Sequence, residues 1–185
     1  MEISADILNG CRSGKKASQE QLYRLLTPRL FPVCLRFASS RSEAEDYMQE
    51  SWIRIFQKIP DFRNEGSFEG WARRITVTTC LEDLRRRHLP ADTSADLPSL
   101  ALSEDSTAIS GISAAELIAL IQTLPAGYRT VFNLYVMEEF THEEIAGRLG
   151  ISEGTSKSQL ARARQLLKDK ITHLHREAKP QHTPK

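Results

Sequence analysis

Apolar residues recur at intervals of three and four along most of this 185-residue chain, and no stretch shows the strict alternation of a strand. Ile3, Ile7 and Leu8 open a short helical pattern loosened by Gly10 and Gly14, and a longer one carries Leu22, Leu25, Leu26, Leu30, Val33 and Phe37 inward. Ser18 with Gln21 reads as the capping box of the longer helix, and Pro28 and Pro32, each lacking an N–H, are expected to bend or interrupt it. Ser42 with Glu45 predicts the next start. From there Met48, Trp52, Ile55 and Ile59 step along one face of a helix ending at Pro60. A glycine-punctuated polar loop over residues 61–70 precedes a helix capped by Ser67, with Trp71, Ile75, Cys80, Leu81 and Leu84 on its buried side.

Residues 89–112 change character. They are rich in Ser, Asp and Pro, lack Lys and Arg, show no period, and read as a flexible linker. Beyond it Ser113 and Glu116 form a capping box, Leu117, Leu120, Ile121 and Leu124 turn inward, and Pro125 starts a helix carrying Val131, Phe132, Leu134, Tyr135 and Met137. Thr141 with Glu144 caps a further helix that buries Ile145 and Leu149 and stops at Gly150. Ser152 then caps a last, basic helix with Leu160, Ala163 and Leu167 inward. Two helices around a tight glycine turn are a helix-turn-helix, whose second helix lies in the major groove of duplex DNA. The expected fold is therefore all-α: two small helical domains at 1–88 and 113–175, joined by the linker, with a disordered tail at 176–185.

A formal net charge of +1 argues against a uniformly basic nucleic-acid binder, but the charge is segregated. Acids gather at Glu43, Glu45, Asp46 and Glu50, and bases at Arg73, Arg74, Arg85, Arg86 and Arg87. The stripe of Asp46, Gln49, Glu50 and Arg54 either complements a helix dipole or docks a basic partner helix. Phe62, Phe68 and Trp71 either fill a core or stack on the bases of a single strand. Cys11, Cys34 and Cys80 are odd in number and widely spaced, which offers neither a disulfide framework nor a metal knuckle, and buried thiols are expected. With no leader and no membrane-length apolar run in the sequence, a cytoplasmic protein is expected, without membrane insertion.

An enzyme finds little here. Glu139 and His142 match one Glu-x-x-His pair of a di-iron bundle, which needs two such pairs and further glutamates. His173 and His175, two apart on a helix, diverge. No phosphate loop or nucleophile elbow is present, and no metal, cofactor or catalytic residue is expected.

Three segments, Ala44 to Phe56, Phe68 to Ile75 and Leu84 to Arg87, resemble the core-binding and promoter-melting segments of bacterial sigma factors. Leu124-Pro125, Glu144 to Ala146, Leu149 to Thr155 and Lys157 to Arg164 are similar to the fourth-region DNA reader of that family. The two-domain form resembles its extracytoplasmic-function group. The resemblance implies a non-catalytic specificity subunit with core RNA polymerase (β′ clamp helices and β subunit) and promoter DNA as partners, and it allows an anti-sigma factor.

It implies polymerase contacts at Asp46, Gln49, Glu50, Trp52 and Arg54. For the minus-ten element it implies Asn64, Ser67, Arg73, Arg74, Thr78, Glu82, Arg85 and Arg86, with the loop from Asn64 to Ser67 capturing a flipped base. For the minus-thirty-five element it implies Ser152, Glu153, Gly154, Thr155, Lys157, Ser158, Gln159 and Arg162. Thr78 and Glu82 stand where the family often shows Asn and Asp, and Ser156 and Gln159 where it often shows valine and arginine. A glutamine in a reading position would favour adenine where arginine prefers guanine. The rival expectation is a regulator that binds duplex DNA alone and uses its N-terminal bundle to sense or dimerise.

Overall fold

A computed structural model of the protein describes residues 3–88 and 112–177. The chain divides into two compact units, Met1–His88 and Leu89–Lys185. Among the described residues there are helices and no strands, and no helix is long and apolar enough to cross a membrane. The expected linker, apart from Ile112, and the expected tail from residue 178 onward lie outside the described residues.

The first unit comprises α1 (Ala5–Arg12), α2 (Lys16–Phe37), α3 (Arg41–Lys58), a 3-10 turn (Ile59–Asp61) and α4 (Phe68–His88). Helix α2 is the central element and packs on α1, α3 and α4. It starts earlier than Ser18 suggested. Lys15 is the N-cap with no side-chain bond, because the chain turns tightly after α1, Lys15 N donating to Gly10 O at 2.9 Å. Ser18 lies within the helix, against Gly10.

Nor do Pro28 and Pro32 interrupt α2, which runs through both. A helix-interior proline costs about 3 kcal/mol, but Leu22, Leu26, Leu30, Val33, Cys34 and Phe37 on the same helix are all buried. At roughly 1.5–3 kcal/mol for each large aliphatic or aromatic side chain, the buried face outweighs the two prolines.

The start of α3 is also shifted. Ser40, not Ser42, is its N-cap: Ser40 Oγ accepts from Glu43 N at 3.2 Å, and Glu43 accepts from Ser39 N at 2.6 Å. Both Ser40–Glu43 and Ser42–Glu45 have the capping spacing, and Glu45 is instead held by Arg41 at 3.0 Å. The apolar face of α3 falls as expected, with Ala44, Met48, Trp52, Ile55 and the following Ile59 buried. All three cysteines are buried and free.

The second unit comprises α5 (Ala114–Gln122), α6 (Ala126–Phe132), a π turn (Asn133–Met137), α7 (His142–Leu149) and α8 (Glu153–Glu177). Helix α8 takes α5, α6 and α7 against it. Leu120, Leu124, Ala163, Leu167 and Ile171 form a core cluster flanked by Ile112, Tyr128, Phe132 and Leu166. The capping boxes at Ser113–Glu116 and Thr141–Glu144 are both formed. The expected helix from Pro125 does not keep one period, since beyond Phe132 its hydrogen bonds lengthen to the π pattern, Glu138 N donating to Asn133 O at 3.1 Å. Helix α8 runs to Glu177, two residues past the expected domain edge.

Candidate nucleic-acid interface

Three surfaces gather the residues singled out by the sequence. The first is the exposed side of α3, where Asp46, Gln49 and Glu50 lie open to solvent one helical turn apart. Ile53, missed by periodicity because it falls outside the buried face, continues this stripe and is 53% exposed. The i, i+3, i+4, i+7 spacing from Asp46 was the available signal. Trp52 is different. It is 4% exposed, its Nε1 donates to Thr27 Oγ1 at 3.1 Å, and its ring lies between Tyr23 and Phe56 with centroids at 5.1 Å on each side. Trp52 holds α3 on α2 and offers a partner almost no surface.

The second surface is a shallow pocket of about 170 Å³ between α3 and α4, lined by Arg54, Lys58, Trp71, Arg74, Ile75, Thr78 and Glu82. Arg54 Nε donates to Glu50 Oε1 at 2.8 Å, and Arg54 also ion-pairs with Glu82. Glu82, then Glu50, raise the Arg54 pKa above its ordinary value. Thr78 Oγ1 donates to Arg74 O at 2.8 Å, so its lone pairs remain as acceptors.

Trp71 and Ile75, expected on the buried side, are only half-buried and form the apolar wall. Phe62 and Phe68 are core, packed on each other at 5.1 Å and on Trp71 at 5.3 and 5.2 Å, so they brace the tryptophan from behind. Sequence reasoning missed Lys58, whose spacing of four from Arg54 was the available clue.

The loop before α4 is exposed from Arg63 to Ser67, and Asn64 adopts φ 58°. Ser67 Oγ accepts from Gly70 N at 3.0 Å, the expected cap. Neither Asn64 nor Ser67 lines the pocket. Arg74, Arg85 and Arg86 are exposed and Arg73 is half-exposed.

The third surface is the start of α8. Gly150 takes φ 69°, ψ 32°, a left-handed conformation that only glycine adopts cheaply, and its N–H donates to Ala146 O at 2.9 Å. Ser152 Oγ then accepts from Thr155 N at 3.0 Å. Ser152, Glu153, Gly154 and Lys157 are exposed, and Thr155, Ser158 and Arg162 half-exposed. Lys157 pairs with Glu153 at 3.3 Å, and Ser158 Oγ donates to Thr155 O at 3.0 Å.

Gln159 is placed differently from these neighbours. It is 8% exposed, and its amide packs so closely on α6 that a Cβ at Gly127 would come within 3.3 Å of it. It seats α8 and does not present its amide outward. Ser156 is fully buried and bonds His142 Nδ1 at 2.8 Å, while Tyr135 stacks on the imidazole at 4.5 Å. Burial, then Lys157, lowers the His142 pKa below its ordinary value. Glu139 has positive φ and is exposed, and among the described residues no cluster of His, Cys, Asp and Glu could hold a metal ion.

Residues 22–89 match the family region described as Sigma-70 region 2, and residues 114–167 match Sigma-70, region 4. The chain is 32% identical over 158 residues to "ECF RNA polymerase sigma factor SigE" of Mycolicibacterium smegmatis, an alignment covering 82% of this chain and 61% of that protein, less than two thirds of its length. It is 26% identical over 189 residues to the "RNA polymerase sigma-H factor" of Pseudomonas aeruginosa, covering 96% of this chain and 98% of that one. The solved structure of the sigma factor RpoE in complex with the anti-sigma factor NepR from Bartonella quintana aligns with a TM-score of 0.49 at 21% identity, covering 81% of this chain and 94% of that chain. With both regions matched in order along a two-unit helical chain, this protein belongs to the extracytoplasmic-function (ECF) group of RNA polymerase sigma factors, the subunits that direct the polymerase to promoters.

Proposed function

We propose that this chain is a dissociable specificity subunit that recruits core RNA polymerase to its promoters in the cytoplasm and helps melt the minus-ten element. Asp46, Gln49 and Glu50, with Ile53 as an apolar centre, form the docking face for the basic β′ clamp helices. The observation that carries the reading is the α3–α4 pocket, with a braced tryptophan, hydroxyl and carboxylate acceptors, and cations at its rim. It suits one extruded base, with Trp71 as the stacking wall.

Extrusion costs a few kcal/mol, and a base stacked on an aromatic ring recovers about 1–3 kcal/mol. Phosphate contacts from Arg73, Arg74, Arg85 and Arg86 supply the remainder, which makes binding salt-dependent. Asn64 and Ser67 then act along the path of the strand, outside the pocket. At the minus-thirty-five element Lys157 and Ser158 read base edges, Arg162 holds a phosphate, and the first turn of α8 supplies backbone N–H groups. The chain makes and breaks no bond, and the polymerase performs the chemistry.

The test is co-purification of the chain with core bacterial RNA polymerase, followed by transcription from a promoter pool. The expected result is a stable complex that initiates from promoters sharing two boxes. A chain that ignores core and binds duplex DNA alone would be a conventional regulator, and the proposal would fall.

A further inference from the structure

The exposed loop before α4 is held at both ends by arginines from helices that carry none of the proposed DNA contacts. At its near end Arg12, on α1, reaches a backbone carbonyl 50 positions away: its Nη2 donates to Phe62 O at 2.7 Å. The other arm of the same fork, Nη1, donates to Asn9 Oδ1 at 3.1 Å, about one turn back on α1, and so fixes the plane of the guanidinium. Phe62 closes the 3-10 turn, its N–H donating to Ile59 O at 3.3 Å and its ring packed on Phe68 and Trp71. At the far end Arg29, on α2, ion-pairs with Glu69 in the first turn of α4. Arg12 precedes residues 22–89, the span that matches region 2.

Between these anchors residues 63–67 are exposed, and φ is positive at Asn64 (58°) and Gly66 (92°). A positive φ on a residue other than glycine persists where the surroundings over-determine it. For an exposed loop those surroundings are its two ends, and the ends differ. Arg29 and Glu69 are 40% and 36% exposed, and an ion pair that open to solvent contributes little. The Arg12 bond is half-buried, charge-assisted and aimed at the last carbonyl before the loop. Because a peptide unit is planar, fixing Phe62 O also fixes the N–H of Arg63, and with it the direction in which the chain departs toward Asn64.

We propose that Arg12 is a positioning residue for promoter selection: by holding Phe62 O it sets the path of the 63–67 loop and so sharpens the choice of base that the loop makes in the minus-ten element. The proposal rests on reading this chain as a sigma factor whose loop meets the melted strand. Groups that bind from a loop are only as precise as the contacts that hold the loop to its scaffold.

The test loads core bacterial RNA polymerase with the parent chain or with R12M, R12Q, N64G, R12M/N64G or R24M, and each transcribes a promoter library randomised at both boxes. N64G removes the side chain and leaves a residue at ease with positive φ, so the positions at which it flattens base preference are those the loop reads. R24M removes one positive charge from an arginine that pairs with Glu20 on its own helix, and it controls for charge alone. R12Q falls two bonds short of Phe62 O and guards against a folding defect in R12M. Preference is a ratio within one chain, so a general loss of folded protein cancels from it.

The expected result is that R12M and R12Q flatten the preference about threefold or more at the minus-ten positions that N64G identifies. Preferences in the minus-thirty-five box and affinity for core stay as in the parent, R24M changes neither box, and R12M/N64G is no flatter than N64G. The parent's preferences in R12M or R12Q overturn the proposal, as do an equal loss in R24M, a loss spread over both boxes, an additive loss in R12M/N64G, or an N64G chain with unchanged preferences. A parent that directs no initiation defeats the sigma reading and this proposal with it, whereas a parent that initiates beside an unaltered R12M defeats the proposal alone.

Discussion

Helices α3 and α8 each present a polar face to solvent, yet they are seated by different chemistry. Helix α3 rests on apolar and aromatic groups, with Trp52 between Tyr23 and Phe56 and with Met48 and Ile55 below. Helix α8 is seated by Leu160, Ala163 and Leu167 over its middle, but its first two turns are held by Ser156 on His142 and by Gln159 on α6. Apolar packing is non-directional and tolerates substitutions of similar volume, whereas a hydrogen bond such as that between Ser156 and His142 fixes the rotation of the helix and responds to protons. The proposed base-reading end of α8 is therefore set by polar contacts, and the proposed docking face of α3 by bulk.

The largest test of that contrast is Trp52→Ala. As a core residue, Trp52 should cost the first unit about 3–5 kcal/mol on truncation, read as an early urea transition while the second unit melts unchanged. Trp52→Phe should cost only about 1 kcal/mol through loss of the bond to Thr27. A stable Trp52→Ala protein that merely failed to bind polymerase would break the comparison.

In the second unit Gly150→Ala forces a left-handed conformation on alanine and should cost about 1–2 kcal/mol, with no steric term because the added Cβ meets nothing. Thr141→Ala removes the α7 cap and should cost about 1 kcal/mol in chemical denaturation. Both should weaken binding to minus-thirty-five duplex and leave affinity for core polymerase unchanged.

The pH dependence of the two units should run in opposite directions. In the second, His142 has a folded pKa below its ordinary 6.5, so the unfolded chain takes up the proton first and stability falls as pH drops below that value. Glu144 and Glu116, held below 4.5 mainly by hydrogen bonds from Thr141 and Ser113, add a loss as pH falls further. In the first unit burial raises the Cys80 thiol above 9.0 and the Tyr47 phenol above 10.0. Their contributions are complete below those values and are lost as pH rises beyond them. Separate melting of the two units across pH checks both signs.

The smallest effect sharpens the comparison most. Gln159→Ala should shift stability slightly while leaving the preferred base at every minus-thirty-five position unchanged in a promoter pool. A change of preferred base would return Gln159 to the reading surface.

Much of the fold was legible because it depends on local rules. The periods of α3, α5 and α8, the Thr141 and Ser113 caps and the Gly150 turn each follow from a few neighbouring residues. Reading failed where two local solutions competed or where long-range packing decided. Ser40 and Ser42 had equivalent spacing to a glutamate. Pro28 and Pro32 looked like breaks until six buried apolar side chains of α2 outweighed them. The π turn at Asn133 left no trace in a pattern that assumes one period.

By itself the sequence determined which helices form and which faces are apolar, because both depend on residues within about two turns of one another. Only the tertiary structure decided what the polar residues do. Gln159 turned inward because Gly127 leaves room for it, Trp71 became a pocket wall because Phe62 and Phe68 fill the space behind it, and Arg54 found Glu82 across the α3–α4 interface. Hydrogen bonds and ion pairs are short-ranged and directional, so their partners are set by which helices meet, and helical period does not encode that.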